Sequence, residues 1–231
     1  MTTTRCCLAL MILAFGMGVA GCADHVSAPD RSTAGTNSIT GDAIALRIPS
    51  RPTTPDQLLE LIATAVEAHD VRGRLLYSAA FCDSTRPGTP AFRGFSDPAV
   101  LEELARTTGR QLLDPTDFAV ERRFYDYLAG LYPGFTYTFT WSAVSTSPAE
   151  RVEARVGRTT LRRGYHVEVA SSDGTVRKLI AVGYADLELV HAAGRWQVRR
   201  WNDRLDPSVG LHPLDTDQVT MGSRRLASLQ Q

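Results

Sequence analysis

Lysine is almost missing from this chain of 231 residues: of its 25 cationic side chains only Lys178 is a lysine, and the rest are arginine. A nucleotide-binding phosphate loop needs a lysine directly after its glycine-rich turn, and Lys178 lies in an alternating apolar stretch, so that class is excluded. The arginine excess fits a bidentate grip on carboxylates or phosphates; it fits equally a GC-rich codon supply, which carries no function. Acidic residues also number 25, the formal charge is zero, and no overall field favours nucleic acid. Cysteine is scarce, with four in all. No His-x-His, His-Glu-x-x-His or paired-cysteine set is present to hold a metal, and no cofactor motif appears. Gly94-Phe95-Ser96 lacks the second glycine of a nucleophile elbow, and Ser96-Asp97-Pro98 is explained as helix capping. No catalytic residue is assigned.

Long apolar runs are lacking as well, with one exception at the N-terminus. After Arg5, the stretch Cys6–Val19 (CCLALMILAFGMGV) is apolar throughout. Its length suits a signal peptide and falls short of the ~20 residues that span a bilayer. Val19-Ala20-Gly21-Cys22 follows and resembles the bacterial lipobox at each position: aliphatic, small, small, cysteine. The small residues let the backbone enter a peptidase, and the thiol takes a diacylglyceryl thioether. Stable anchoring takes at least two acyl chains, each methylene contributing ~0.8 kcal/mol, and a diacylglyceryl group supplies two. The expectation is a signal peptide over 1–21 and a lipid-modified Cys22 that tethers the protein to a membrane of the bacterial envelope. An uncleaved anchor through Ala23 and ordinary cleavage after Ala28 are the rival readings.

With Cys6 and Cys7 removed and Cys22 lipidated, Cys82 is left alone, so no intramolecular disulfide is expected even where the compartment oxidises. Cys82 reads as a small buried apolar residue. Residues 22–53 are rich in Ser, Thr, Ala, Pro, Gly and Asp. They read as a flexible tether, since such a composition buries too little surface to offset ordering entropy. A short strand over Ala43–Ile48 is a weak alternative.

Thr54-Pro55-Asp56-Gln57 opens the folded part with an N-cap, a first-turn proline and a glutamine placed for a capping box. Leu58, Leu61, Ile62, Ala65, Val66 and His69 follow at helical spacing. Asp97-Pro98 opens a helix with Leu101, Leu104 and Ala105 on one face, stopped by Gly109; Asp114-Pro115 opens another carrying Phe118, Tyr125 and Leu128. A Pro/Gly-rich loop over Cys82–Gly94 separates the first two. After Gly134 the period becomes two: Phe135, Tyr137, Phe139 and Trp141 alternate with threonines, and further strands cover Val152–Val156, Tyr165–Val169, Val176–Val190 and Trp196–Asp203. Ser172-Asp173-Gly174 and Ala193-Gly194 mark turns. Helices first and an antiparallel meander afterwards make an α+β pattern.

A first helix reading LLELIATAVEAHDVRGRLLYSAAF, further helices, a run of antiparallel strands and a last strand beginning WQVRRWND resemble the nuclear transport factor 2-like superfamily. The resemblance covers roughly Pro52 to Leu205. It implies a single cystatin-like domain over 54–205, a cone-shaped curved sheet wrapped around N-terminal helices. The tail 206–231 is then an addition, either an extension or a strap across the domain. The scaffold serves many ends, so function rests on a site. Trp141, Tyr165 and Trp201 are the residues expected to line a cone that takes a small apolar ligand, and core packing accounts for them too. Tyr184, Asp186 and Glu188 share one strand face, expected to be the wet one, since Ala185, Leu187 and Leu189 occupy the other; a bulge near Gly183 would reverse this. His69 is expected as a helix terminus, and Arg151, Arg155, Arg158, Arg162 and Arg163 as a solvated hairpin or a grip on anionic groups.

Ile180, Val182 and Tyr184 against Leu179 and Ala181 make the middle of one strand apolar on both faces. That implies a covered outer face, through homodimerisation or the tail. Three functions follow: a tethered, non-catalytic binding module; an isomerase, cyclase or dehydratase of the ketosteroid-isomerase kind, which an interior carboxylate beside a tyrosine would support; or a structural envelope component.

Overall fold

A computed structural model describes residues 51–109, 114–144, 151–153, 157–206 and 220–229, with backbone alone for 151–153. The chain divides into two units, Met1–Ser38 and Ile39–Gln231, and every described residue belongs to the second. The lipobox-like segment with Cys22, the candidate strand Ala43–Ile48, Arg155 and most of the tail lie outside the described residues.

The opening signature acts as its chemistry demands. Thr54 accepts the Gln57 backbone N–H, Pro55 takes the first turn, and α1 runs over Pro55–Ala68. The Gln57 side chain closes the box one residue early, accepting the Thr53 backbone N–H at 2.8 Å. Leu58, Leu61, Ile62, Ala65 and Val66 are buried, each of the larger ones contributing about 1.5–3 kcal/mol. α1 ends at His69, which has φ 36°, as its place at the end of the apolar stripe implies, so the first helix of the resemblance, read on through Phe81, is two helices. Asp70 then caps a separate helix, α2 (Val71–Ala80), by accepting the Gly73 N–H at 2.7 Å. A short acid offers the backbone a local alternative to continuing the helix. The Tyr125 hydroxyl fills the break, donating to the Ala65 carbonyl at 2.8 Å. Gly73 leaves it room, since a Cβ there would stand 2.2 Å from that hydroxyl.

The loop 82–94 ends in a short strand that alternation could not reveal, β1 (Arg93–Phe95). Then α3 spans Pro98–Thr108 between Asp97 and a left-handed Gly109, as the sequence implies. The next helix starts later than Asp114-Pro115: α4 is Phe118–Gly130, capped by Asp117. Five strands follow, β2 (Thr136–Ala143), β3 (Arg151–Glu153), β4 (Arg158–Ala170), β5 (Arg177–Ala192) and β6 (Arg195–Arg204). The sheet order is β1-β6-β5-β4-β2, with β3 also on β4; all pairs are antiparallel except β1 with β6. Ala193 and Gly194, both at positive φ, form the two-residue turn into β6.

The fold is α+β, its sheet curved and unclosed. Bulges after Val167 and after Glu188 bend it. The register places Trp141, Tyr165 and Gly183 in one row of the inner face, and Arg163, Ala185 and Asp203 in the next. α1 lies against this face: the Trp141 indole donates to the Leu59 carbonyl at 2.9 Å, and the Phe139 N–H donates to Glu67 at 3.1 Å. From the tail, α5 (Met221–Ala227) packs against α4, β5 and β6.

Candidate functional site

Two polar sets meet inside the domain beneath α5. The first is built on β4 and β6. Asp203, on the inner face of β6, is fully buried. Its Oδ1 accepts the Tyr165 hydroxyl at 2.6 Å and the Trp201 indole N–H at 3.3 Å, and its Oδ2 accepts the Gly222 backbone N–H at 2.7 Å. Tyr165 in turn accepts the Met221 N–H at 2.9 Å. Gly183 stands opposite Tyr165 in the register, and a Cβ there would lie 2.7 Å from the tyrosine hydroxyl. A Cβ on Gly222 would lie 2.6 Å from Asp203 Oδ2. Both glycines make room for the pair.

The second set joins α2, α4 and α5. Glu121 on α4 is buried and accepts two bonds from the Arg225 guanidinium, at 2.5 and 3.0 Å. The Tyr77 hydroxyl donates to the same carboxylate at 2.7 Å. The guanidinium carbon stands 5.1 Å from the centre of the Phe124 ring and 5.6 Å from that of Trp201. Arg225 therefore touches both sets.

Burial dominates the titration of these groups. It holds the Asp203 carboxyl above the usual carboxylate range, against the bonds from Thr220, Tyr165 and Gly222 and the charge of Arg225 that favour ionisation. Burial also drives the Tyr165 hydroxyl well up, and the neighbouring Asp203 adds to the shift. Tyr77 is raised in the same way, first by burial and then by Glu121. Burial works against the charge on Arg225, but Glu121 more than restores it, so the guanidinium holds its proton more tightly than usual.

Trp141, Tyr165 and Trp201 do converge, with ring centres 5.8 to 6.4 Å apart. They meet in a filled interior, with Tyr165 and Trp201 buried and Trp141 partly so. Asp203, Glu121 and Arg225 were not singled out from the sequence. The one available signal was the parity of β6, which places Asp203 two residues from Trp201 and so on the same face.

Tyr184, Asp186 and Glu188 lie on the outer face, as their strand neighbours implied, because the irregularities along β5 fall at Ile180 and after Glu188 and leave the pairing from Gly183 to Glu188 regular. Arg162 forks onto Asp186 at 2.5 and 2.9 Å and lies over the Tyr184 ring, while Arg199 donates to Glu188 at 2.8 Å. Of the hairpin arginines, Arg163 donates to the Arg162 carbonyl and Arg158 is exposed. His69 terminates α1 and stacks on Tyr137 at 4.6 Å. Ile180 and Val182 are buried within the single chain, and Val71, Leu75 and Val176 are the large apolar residues that stand exposed among the described ones. No group of His, Cys, Asp and Glu among the described residues is arranged to hold a metal ion, and no described helix is long and apolar enough to cross a membrane.

No family model and no curated protein matches the chain. Solved structures are similar to it at low identity. The function-unknown protein Rv3472 of Mycobacterium tuberculosis is 14% identical with a TM-score of 0.46, over 82% of this chain and 86% of that one. A candidate dehydratase of the nuclear transport factor 2-like family from Streptomyces avermitilis is 9% identical with a TM-score of 0.44, over 71% and 96%. ActVI-ORFA from Streptomyces coelicolor is 14% identical with a TM-score of 0.44, over 73% and 99%. At these values the likeness assigns no activity.

Proposed function

We propose that the protein is a lipoprotein of the bacterial envelope, anchored through Cys22, whose nuclear transport factor 2-like domain binds a partner or ligand without turning it over. The observation that supports a binding role over catalysis is the occupied interior. Proton abstraction needs a base within reach of a substrate proton. Asp203 is covered by Met221 and Gly222, and Glu121 is held by Arg225 and Tyr77. With α5 seated, no substrate reaches either carboxylate.

One observation favours the isomerase-like alternative. Tyr165 and Asp203 form an interior tyrosine–carboxyl pair with the carboxyl raised by burial. Ketosteroid isomerase uses a tyrosine and a protonated aspartate as its oxyanion hole. Such a hole still needs a free base, and in the seated state Glu121 is engaged by Arg225.

The experiment has two arms. For the anchor, Cys22→Ala should leave an unprocessed precursor and abolish labelling by a fatty-acid analogue; persistent labelling would remove the lipoprotein reading. For the domain, native mass spectrometry of the delipidated protein should show a retained ligand or partner, while enolisable ketones and hydroxy-ketones should not be turned over. A turnover that Tyr165→Phe or Asp203→Asn abolishes, with the fold intact, would replace binding by isomerase-like chemistry. Homodimerisation through the sheet face is part of the proposal, and analytical ultracentrifugation giving only monomer at micromolar concentration would remove it.

A further inference from the structure

We propose that the chamber between α2, α4 and β6 is a binding site for a guanidinium group, and that Arg225 is its tethered occupant. The inference rests on the binding reading above and gives the ligand a chemical class.

The receptor side comes wholly from the domain. Glu121 offers both carboxylate oxygens to the fork of the guanidinium, at 2.5 and 3.0 Å. Tyr77 fixes that carboxylate from α2 with a bond of 2.7 Å. Phe124 and Trp201 present their rings 5.1 and 5.6 Å from the guanidinium carbon. A planar carboxylate with aromatic faces matches a planar, weakly hydrated guanidinium and suits a compact ammonium poorly. Asp203 and Tyr165 lie alongside and receive two backbone N–H groups from the same helix turn, those of Gly222 and Met221. Only the occupant comes from the tail, joined to the domain through residues 207–219.

As a fastener this arrangement is inefficient. Two charges taken out of water recover their hydration only with full pairing, and apolar residues of equal volume hold as well or better. The pairing here is not full. Arg225 is completely buried, yet its Nη1 has no hydrogen-bond partner among the described residues. An unpartnered buried donor is costly, and its presence marks a chamber whose acceptors are not built for Arg225 alone. A guanidinium carried by another molecule, free of the geometry of α5, would find the Asp203 carboxyl and the Tyr165 hydroxyl beside Glu121 as further acceptors once Gly222 and Met221 are withdrawn.

The test uses the whole chain with a protease site placed within 207–219, cut after folding, and a labelled peptide of residues 218–231. The labelled peptide should exchange into the cut protein much faster than the protein unfolds. A peptide with Arg225→Met should bind at least about 30-fold more weakly, the scale of breaking a buried pair. Agmatine that displaces the peptide where cadaverine fails would identify a small guanidine as sufficient. Displacement by arginine-bearing peptides alone would identify a peptide-borne arginine. Exchange only at the unfolding rate, or equal binding by the Arg225→Met peptide, overturns the proposal. Should the cut protein fail to fold, the intact Arg225→Ala chain serves instead. Millimolar agmatine should raise its melting temperature, with no effect on the parent chain and none from cadaverine; no rise overturns the proposal. Neither overturning result bears on a ligand held elsewhere, which native mass spectrometry decides separately.

Discussion

The Tyr165 hydroxyl donates to Asp203 at 2.6 Å while accepting the Met221 backbone N–H at 2.9 Å, so one oxygen ties the sheet interior to the C-terminal helix. The sheet supplies the acid, the helix supplies the amide, and Gly183 supplies the space.

Tyr165→Phe removes that link from both sides. Asp203 loses a donor at 2.6 Å and the buried Met221 N–H loses its acceptor, which together cost about 1–3 kcal/mol. Urea unfolding should report a loss in this range. Hydrogen exchange should report faster exchange in Met221–Ala227, with the strands unaffected. Uniformly faster exchange over the whole domain would mean that the helix is not a separate docking element.

Two aspartates should leave opposite marks on the pH dependence of stability. Asp173 is held down to about 2, first by the Ser171 hydroxyl and then by Thr175. Its contribution is therefore present above the ordinary value near 3.8 and lost as pH falls through about 2. Asp203 is raised by burial, so its contribution is complete below the ordinary value of 3.8 and declines as pH rises through the native one. Relative to the parent chain, Asp173→Asn should lose melting temperature at pH 6 and recover parity near pH 2. Asp203→Asn should show its largest deficit at the acid end, narrowing as pH rises. A deficit independent of pH in both variants would contradict these directions.

The α+β class was legible because it rests on local patterns. The capping residues Thr54 and Asp97 act over three or four residues, and the Phe135–Trp141 alternation is read within one strand. His69 was harder. Its helical period continues smoothly into α2, and the break comes from competition by the Asp70 side chain together with the distant Tyr125 hydroxyl, 60 residues from its acceptor. The short β1 pairs in parallel with β6, more than a hundred positions away, and three residues carry no period. The candidate site was legible only in its aromatic half. Trp141, Tyr165 and Trp201 follow from strand parity, whereas Glu121 and Arg225 sit in helices where a charge normally faces solvent. Only the packing of the tail against α4 brings them together.

Cys82 should be inert in the native protein. It has no exposed surface, and burial pushes its thiol up to about 12 against the nearby Arg199 and Arg195. Reactivity follows the thiolate, which is then negligible at pH 8. In a chain with Cys6, Cys7 and Cys22 changed to serine, a thiol reagent such as DTNB should react only after denaturant is added. Rapid stoichiometric reaction in native buffer would place the thiol at the surface.

The strongest demand falls on Glu121 and Arg225. Among the described residues each is the other's sole charge neutraliser within bonding distance, and both are buried. Truncating one leaves an unpaired charge in a dry interior, so Glu121→Ala and Arg225→Ala should each cost about 3–5 kcal/mol. Removing both charges together relieves that penalty. The double change Glu121→Leu with Arg225→Met keeps similar volume, and such replacements are typically neutral or stabilising by about 1–4 kcal/mol. A double-mutant cycle in urea should therefore give a coupling energy larger than the net effect of the double variant. That combination would mean the pair is dispensable for stability and kept for what the carboxylate can hold. A double variant as unstable as the sum of its singles would mean the reverse: Glu121 and Arg225 act independently, and the helix is held by packing alone.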